Sequence, residues 1–331
     1  GLGDGDPIQF SATVQDLNLS NQGITDLTGL SCFVHLRELN LSGNNITTLT
    51  DFDYLISLRK LELGSNQVSD LTPLAGLTDL ETLTLQSNQV TSVLPLAGLT
   101  NLRYLNLRSN LLTSIQPLEL LVNLEELNIN QNSVNSIASL TLMTRLLTVK
   151  ISNNAISSLS PLSAATRLRD LRAYNNAISS LTGLENAEDL EILQVGANQV
   201  TSLAPLASLD RLRYLYASDN QVTSVSSIQN LTDLETLELN DNLVADASGL
   251  TNLTELENVY MDRNRLTSLT GFENLSDLER LSLHDNDFSG EDDLSKLASL
   301  TDLTYLGLND CDVESLVGIV NLTSLEHLAV N

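Results

Sequence analysis

The chain has 331 residues, 42% of them hydrophobic, and sets 16 Lys+Arg against 42 Asp+Glu for a net charge of −26. Such a surface repels nucleic acid and anionic membranes, so no nucleic acid partner is expected, and a partner with a basic surface suits the field better. No run is long enough to span a membrane and no charged-then-apolar signal opens the chain, so no membrane insertion is expected.

In chain order, residues 1–13 carry no repeat and read as an N-terminal cap segment. From residue 14 to residue 331 a single pattern recurs, about 14 times. Its marker is Asn at 44, 66, 88, 110, 132, 154, 176, 198, 220, 242, 264 and 286, an unbroken interval of 22. Gln22 extends the series backward, and Cys311 closes it after one repeat of 25. Around each marker stand apolar residues at −5, −3 and +2, as in Leu39-x-Leu41-x-x-Asn44-x-Ile46. A fixed period of this length marks a stacked-repeat architecture. The alternating L-x-L segment suits a short strand. A buried Asn after it can donate and accept, stitching one coil to the next, and Cys311 supplies a weaker donor. Stacking such coils places a parallel sheet on one face and a continuous leucine core inside.

The return segments have their own punctuation. Pro73, Pro95, Pro117, Pro161 and Pro205 each fall seven residues after the marker Asn. Proline suits the first position of a short helical turn, and a return of about ten residues favours a 3₁₀ turn. In the longer repeat, Ser289-Gly-Glu-Asp-Asp-Leu-Ser-Lys reads as a capped α-helical turn. The last repeat, ending at Asn331 just after Leu328-x-Val330, reads as truncated, and an opening Gly1 reads as the start of a processed or excised fragment. Cys32 reads as a core residue and Cys311 as a marker substitute. Roughly a dozen coils of about 4.8 Å separate them, far beyond the ~7 Å that a disulfide allows.

Asn66-Gln-Val-Ser-Asp-Leu-Thr-Pro73-Leu-Ala-Gly-Leu and Asn198-Gln-Val-Thr-Ser-Leu-Ala-Pro205-Leu-Ala-Ser-Leu resemble the 22-residue repeats of bacterial internalins. Asn21-Gln-Gly-Ile-Thr-Asp-Leu-Thr-Gly-Leu is similar to the first repeat of many bacterial surface proteins of that kind. The resemblance covers about residues 14–331. It implies an α/β leucine-rich repeat solenoid, right-handed and curved, with a parallel concave sheet and short 3₁₀ or helical turns on the convex side. It also implies a cell-surface or extracellular protein-binding module. Residues 1–13 do not match the helical cap that usually seals an internalin array.

The leucines and markers are occupied with structure, so binding residues are sought at the outward positions −6, −4, −2 and −1. The chain has seven tyrosines and no tryptophan, and six tyrosines fall at those positions: Tyr104, Tyr174, Tyr214, Tyr216, Tyr260 and Tyr305. Strand propensity alone does not gather them on one exposed face, whereas tyrosine is a common binding anchor. Eleven of the 16 basic residues share the strand segments, so the sheet face is mixed while the outer turns are acidic. Lys150, Arg172, Arg263 and Arg280 join the tyrosines as candidate partner-binding residues. Residues 1–183 carry a net −5 and residues 184–331 a net −21, which places steering of a basic protein ligand in the C-terminal half.

Two further columns attract attention. Asp219, Asp241, Asp285 and Asp310 stand just before the marker, interrupted by Arg263, with Asp262 and His284 beside them. Of these, Asp241, Asp262, His284 and Asp285 are weak candidates for a hard cation such as Ca²⁺. The plainer reading is that short polar residues fit the turn, so neither metal nor cofactor is expected. Thr/Ser pairs at +3 and +4, such as Thr91-Ser92 and Thr201-Ser202, offer a hydroxyl array that could order ice, yet they suit backbone bonding in the turn better. His35, His284 and His327 lie in different repeats with no nucleophile in a matching pattern, and an open sheet excludes little water, so catalysis is not expected. Besides the surface module, the repeats also resemble those of intracellular scaffolds that dock on protein phosphatases, which would be cytoplasmic. Phased prolines and only three lysines favour the bacterial surface reading. A monomer is expected unless the last strand pairs with another chain.

Overall fold

A computed structural model describes residues 14–290 and 294–331. The expected cap segment, 1–13, lies outside the described residues, as does part of the expected α-helical turn over 289–296. Toward the end of that turn, Ser295–Leu297 is 3₁₀. The chain divides into two compact units, Gly1–Ile156 and Ser157–Asn331.

In the first unit the strands are β1 (Asp16–Asn18), β2 (Glu38–Asn40), β3 (Lys60–Glu62), β4 (Thr82–Thr84), β5 (Tyr104–Asn106), β6 (Glu126–Asn128) and β7 (Thr148–Lys150). In the second they are β8 (Asp170–Arg172), β9 (Ile192–Gln194), β10 (Tyr214–Tyr216) and β11 (Thr236–Glu238). There follow β12 (Asn258–Tyr260), β13 (Arg280–Ser282), β14 (Tyr305–Gly307) and β15 (His327–Ala329). Within each unit, sequential strands pair in parallel, and the register sets like on like: Leu39 opposite Leu61, Leu215 opposite Leu237. A slip by one residue would turn the leucine row to solvent, so the 22-residue period fixes the register.

The coil around Asn66 shows how the sequence dictates this. Leu61 and Leu63 point inward, followed by Val68, Leu71, Leu74, Leu77 and Leu80, none more than 1% exposed. After the marker the apolar residues recur every third position. Side chains at i and i+3 lie above one another in a 3₁₀ turn, so this spacing selects the tight return over an α-helix. The turn is Thr72–Leu74. Each such buried leucine contributes on the order of 1.5–3 kcal/mol.

Three expectations from the sequence need correction. The L-x-L alternation places Leu63 and Leu239 in strands, but β3 and β11 end one residue earlier. Their N–H groups still donate across the sheet, to Thr84 O and Tyr260 O at 2.8 Å each. The chain is already turning there, because the residue before each marker adopts a left-handed conformation, as at Ser65 (φ 56°) and Asp241 (φ 54°). Second, the phased prolines take the second residue of their turns, not the first: Pro95 lies within Leu94–Leu96 and Pro205 within Ala204–Leu206. The first residue must keep its N–H, which donates to the +4 side chain, as Leu94 does to Ser92 Oγ at 3.3 Å. Third, Cys32 is exposed. It ends the turn Leu30–Cys32, whose inward residue is Leu30.

The +4 column therefore has a structural role. Ser114, Ser158, Ser202 and Ser224 each accept a backbone N–H through Oγ. Asp26, Asp70 and Asp246 do the same with a carboxylate oxygen.

The marker column is a ladder. Asn66 Nδ2 donates to Leu63 O in its own coil and to Leu41 O in the preceding one, at 3.0 Å each. Its Oδ1 accepts the Ile46 N–H at 3.0 Å. Cys311 keeps the donor half of this arrangement, with Sγ 3.0 Å from Leu283 O.

Candidate interaction face

Because β-strand side chains alternate, leucines at −5 and −3 go inward and the −6, −4 and −2 residues share the outward sheet face. In the first unit this face carries Tyr104 on β5 and Lys150 on β7, both half-buried. The remaining candidates lie in the second unit.

There the side chains form three local groups. In the first, the Arg213 guanidinium stands over the Tyr214 ring, 5.4 Å from its centroid. It also pairs with Glu235 on the next coil, Nε to Oε1 at 2.7 Å, while Tyr214 OH donates to Glu235 Oε2 at 2.7 Å. Burial works to raise the Glu235 carboxyl, but the bonds from Tyr214 and Arg213 outweigh it and hold the group below the usual carboxylate range. The bond to Glu235 in turn lifts the Tyr214 hydroxyl above its ordinary value.

The second group is Arg280 over Tyr305, 5.1 Å from the ring centroid, with the two residues opposite each other in the β13–β14 register. Tyr305 OH lies 3.1 Å from His284 Nε2, and His284 Nδ1 accepts the Asn309 N–H at 2.9 Å. Accepting at Nδ1 places the proton of a neutral His284 on Nε2, so Nε2–H donates to Tyr305. Gly307 makes room for this: a Cβ there would lie 2.5 Å from His284 Nε2.

The third group is Tyr216, Glu238 and Tyr260, three consecutive −4 residues in direct register. All three are half-buried. Burial lifts the Glu238 carboxyl above its ordinary range. Burial first, and the Glu238 charge second, lift the Tyr216 hydroxyl. Nearby, Arg172 Nε reaches Asp170 Oδ1 on its own strand at 3.0 Å. Tyr174, 47% exposed, lies across the bare backbone of Gly196, where a Cβ would come within 3.2 Å of its ring.

The structure thus brings Tyr214, Tyr216, Tyr260, Arg280 and Tyr305 onto one stretch of the second unit's face. Sequence reasoning passed over two acids among them: Glu235, which binds Arg213 and Tyr214, and Glu238, which lies between Tyr216 and Tyr260. Reading the sequence in columns of 22 would have found Glu238 between Tyr216 and Tyr260.

Three of the four weak cation candidates, Asp241, Asp262 and His284, are engaged elsewhere. Arg263 grips Asp241 with two bonds of 2.6 and 2.7 Å. Asp262 Oδ1 accepts from Ser282 Oγ and from the His284 N–H, at 2.7 and 2.9 Å. Among the described residues no three His, Cys, Asp or Glu side chains converge as metal ligands would. The aspartate column has a backbone cause: Asp219, Asp241, Asp285 and Asp310 all have φ between 53° and 57°. Short polar side chains tolerate that left-handed region best.

A model of leucine-rich repeats in two copies matches residues 13–54, 56–98 and 210–252. No curated protein matches the chain by sequence. Among solved structures, an internalin (InlF) from Listeria monocytogenes is 27% identical over 98% of this chain and 88% of its own, with a TM-score of 0.84. The functional domain of InlJ from the same organism, which includes a cysteine ladder, is 27% identical over 98% of this chain and 69% of its own, with a TM-score of 0.84. Internalin C2, also from Listeria monocytogenes, is 33% identical over 61% of this chain and 80% of its own, with a TM-score of 0.51. In this chain the marker ladder is built from asparagine, with Cys311 its one cysteine. The repeat period, the parallel strands with 3₁₀ returns and these likenesses agree: the chain is an internalin-like leucine-rich repeat protein of the 22-residue class.

Proposed function

We propose that this chain is a non-catalytic recognition module of a secreted or surface-attached bacterial protein, and that it holds a protein partner against the sheet face of its second unit. The observation that carries this reading is the concentration of tyrosine and arginine on that face. Tyrosine supplies wide, rigid contact area with a polar tip, and Tyr and Arg are the residues enriched in binding hot spots. The leucine-rich repeat fold supports a protein or peptide ligand, and the likeness to internalins supports a surface location. Among the described residues no helix is long and apolar enough to cross a membrane.

Tyr214 and Tyr216 leave the same strand on the same side and form the natural anchor. A partner captured on the immobilised chain is then titrated by biolayer interferometry against the parent, Tyr214→Ala/Tyr216→Ala, and an outer-turn control, Thr201→Ala. The double variant is expected to weaken binding by at least ~2 kcal/mol, roughly thirtyfold, with the control unchanged. Equal affinity for all three proteins would overturn the assignment of the face.

A further inference from the structure

The outward face of the second unit holds one complete cation site and, further along the same coils, a carboxylate flanked by two tyrosines without a cation. In the complete site Arg213 lies over Tyr214 and is bound by Glu235. Tyr216 follows Tyr214 by two residues on β10, so its ring emerges on the same side. Glu238 faces it across the sheet, and Tyr260 faces Glu238 from the other side. Neighbouring strands stand about 4.8 Å apart, so the two rings flank the carboxylate from coils roughly 10 Å apart.

Among the described residues, the Glu238 carboxylate has no ion pair and accepts no hydrogen bond, and neither Tyr216 nor Tyr260 has a cation over its ring. The basic residues around them are committed: Arg172 to Asp170, Arg213 to Glu235, Arg263 to Asp241 and Arg280 to the Tyr305 ring. A half-buried carboxylate with no partner is costly, and a cation set between two aromatic faces and beside that charge gains from both. A single carboxylate is too few ligands for a hard metal ion. An organic cation, flat or compact enough to enter between two rings, meets every requirement.

We propose that Tyr216, Glu238 and Tyr260 form a seat for one arginine or lysine side chain of the protein that docks on this face. This rests on the reading of the face as the binding surface. The Arg213–Tyr214–Glu235 group shows a cation held by a tyrosine ring and a carboxylate in cis, and the seat accepts the same chemistry in trans. The seat also gives the docked partner a register, because Glu238 sits at a single position of a face whose neighbouring −4 residues, Tyr216, Tyr260 and Ser282, carry no charge of their own at neutral pH.

The test uses small probes, so it needs no identified partner. The chain is labelled at tyrosine ring carbons and titrated with Nα-acetyl-arginine methylamide or its neutral isostere, Nα-acetyl-citrulline methylamide. The Tyr216 and Tyr260 ring signals should move saturably with the arginine probe, at least tenfold more weakly with citrulline, and by much less at Tyr104. Glu238→Gln and Tyr260→Leu should each weaken the arginine response at least tenfold, while Glu255→Gln, at an exposed acid elsewhere in the unit, should leave it unchanged. Equal responses to both probes, an equal shift at Tyr104, or a response indifferent to Glu238→Gln would each overturn the seat. A captured partner that loses affinity with Tyr214→Ala/Tyr216→Ala yet is indifferent to Glu238→Gln would overturn the seat while leaving the face standing.

Discussion

Among single residues, the marker amide does the same three jobs in coil after coil. Asn154 donates through Nδ2 to Ile129 O and Ile151 O, at 3.0 and 3.1 Å, and its Oδ1 accepts the Val134 N–H at 2.9 Å. Alanine there strands one donor and two acceptors of the backbone away from water. Asn154→Ala should cost roughly 1–3 kcal/mol in urea unfolding, and an unchanged midpoint would show that the ladder is dispensable. Glu238 predicts the opposite sign. Its carboxyl is raised in the folded state by burial, so ionising it opposes folding. The penalty is absent below the unfolded pKa, where both states are protonated, and develops as pH rises through the folded value. Glu238→Gln should therefore melt above the parent at pH 7, with the gap closing in acid. A gap that persists unchanged at pH 3 would point to a packing effect. A more stable variant also ensures that any lost cation binding is not lost folding.

Within a repeat, the return segment is tuned by what stands at +7. Proline takes this place in five coils, and glycine takes it at 183 and 271 with φ of 106° and 109°. There the next residues close a small loop, with Gly183 N–H donating to Glu185 Oε2 at 2.7 Å and Gly271 N–H to Glu273 Oε2 at 2.7 Å. A Cβ on Gly183 would lie 2.5 Å from Leu159 O, so Gly183→Ala meets both a forbidden φ and a backbone clash. Gly76 has nothing within 4 Å of its would-be Cβ. Calorimetry should show Gly183→Ala lowering the melting temperature, while Gly76→Ala is neutral or stabilising by about 0.4–1 kcal/mol. Similar losses in both would mean that the close backbone approach at 183 is not a constraint. The 3₁₀ returns were legible in part: short length and phased proline pointed to them. The stronger signal was the apolar residue at every third position, from Val68 to Leu80.

Over the full chain, charge is the dominant property. The net −26 is concentrated in residues 184–331, where Asp233, Glu255, Glu257, Asp277, Glu279 and Asp302 are all exposed. Exposed charges of this kind act on encounter rates and are screened within about 10 Å at 0.1 M salt. Asp233→Asn/Glu255→Gln should slow association with a basic partner and flatten its salt dependence while leaving dissociation unchanged. A change confined to dissociation would move these acids from steering into direct contact.

The repeat, its period, the inward leucines, the ladder and the parallel strands were all legible in the amino-acid order, because each depends on spacing along the chain. Within a unit, identical spacing makes successive coils stack in the same register, so Asn66 and Asn154 play one role in different coils. Spacing misplaced Cys32, because the five residues between the core leucines Leu30 and Leu36 look alike until the turn decides which side each faces. It also held the aspartate column open as a cation site, when a left-handed φ at Asp241 and Asp285 accounts for it. Which charges are already engaged emerges only once the chain is folded. Arg213 and Glu235 lie 22 residues apart and could each have paired in several directions. Folding sets them against Tyr214, gives Arg263 to Asp241, and leaves Glu238 between two tyrosines without a partner. Pairing depends on distance in space between flexible side chains, and a one-dimensional period fixes the columns but not the contacts within them.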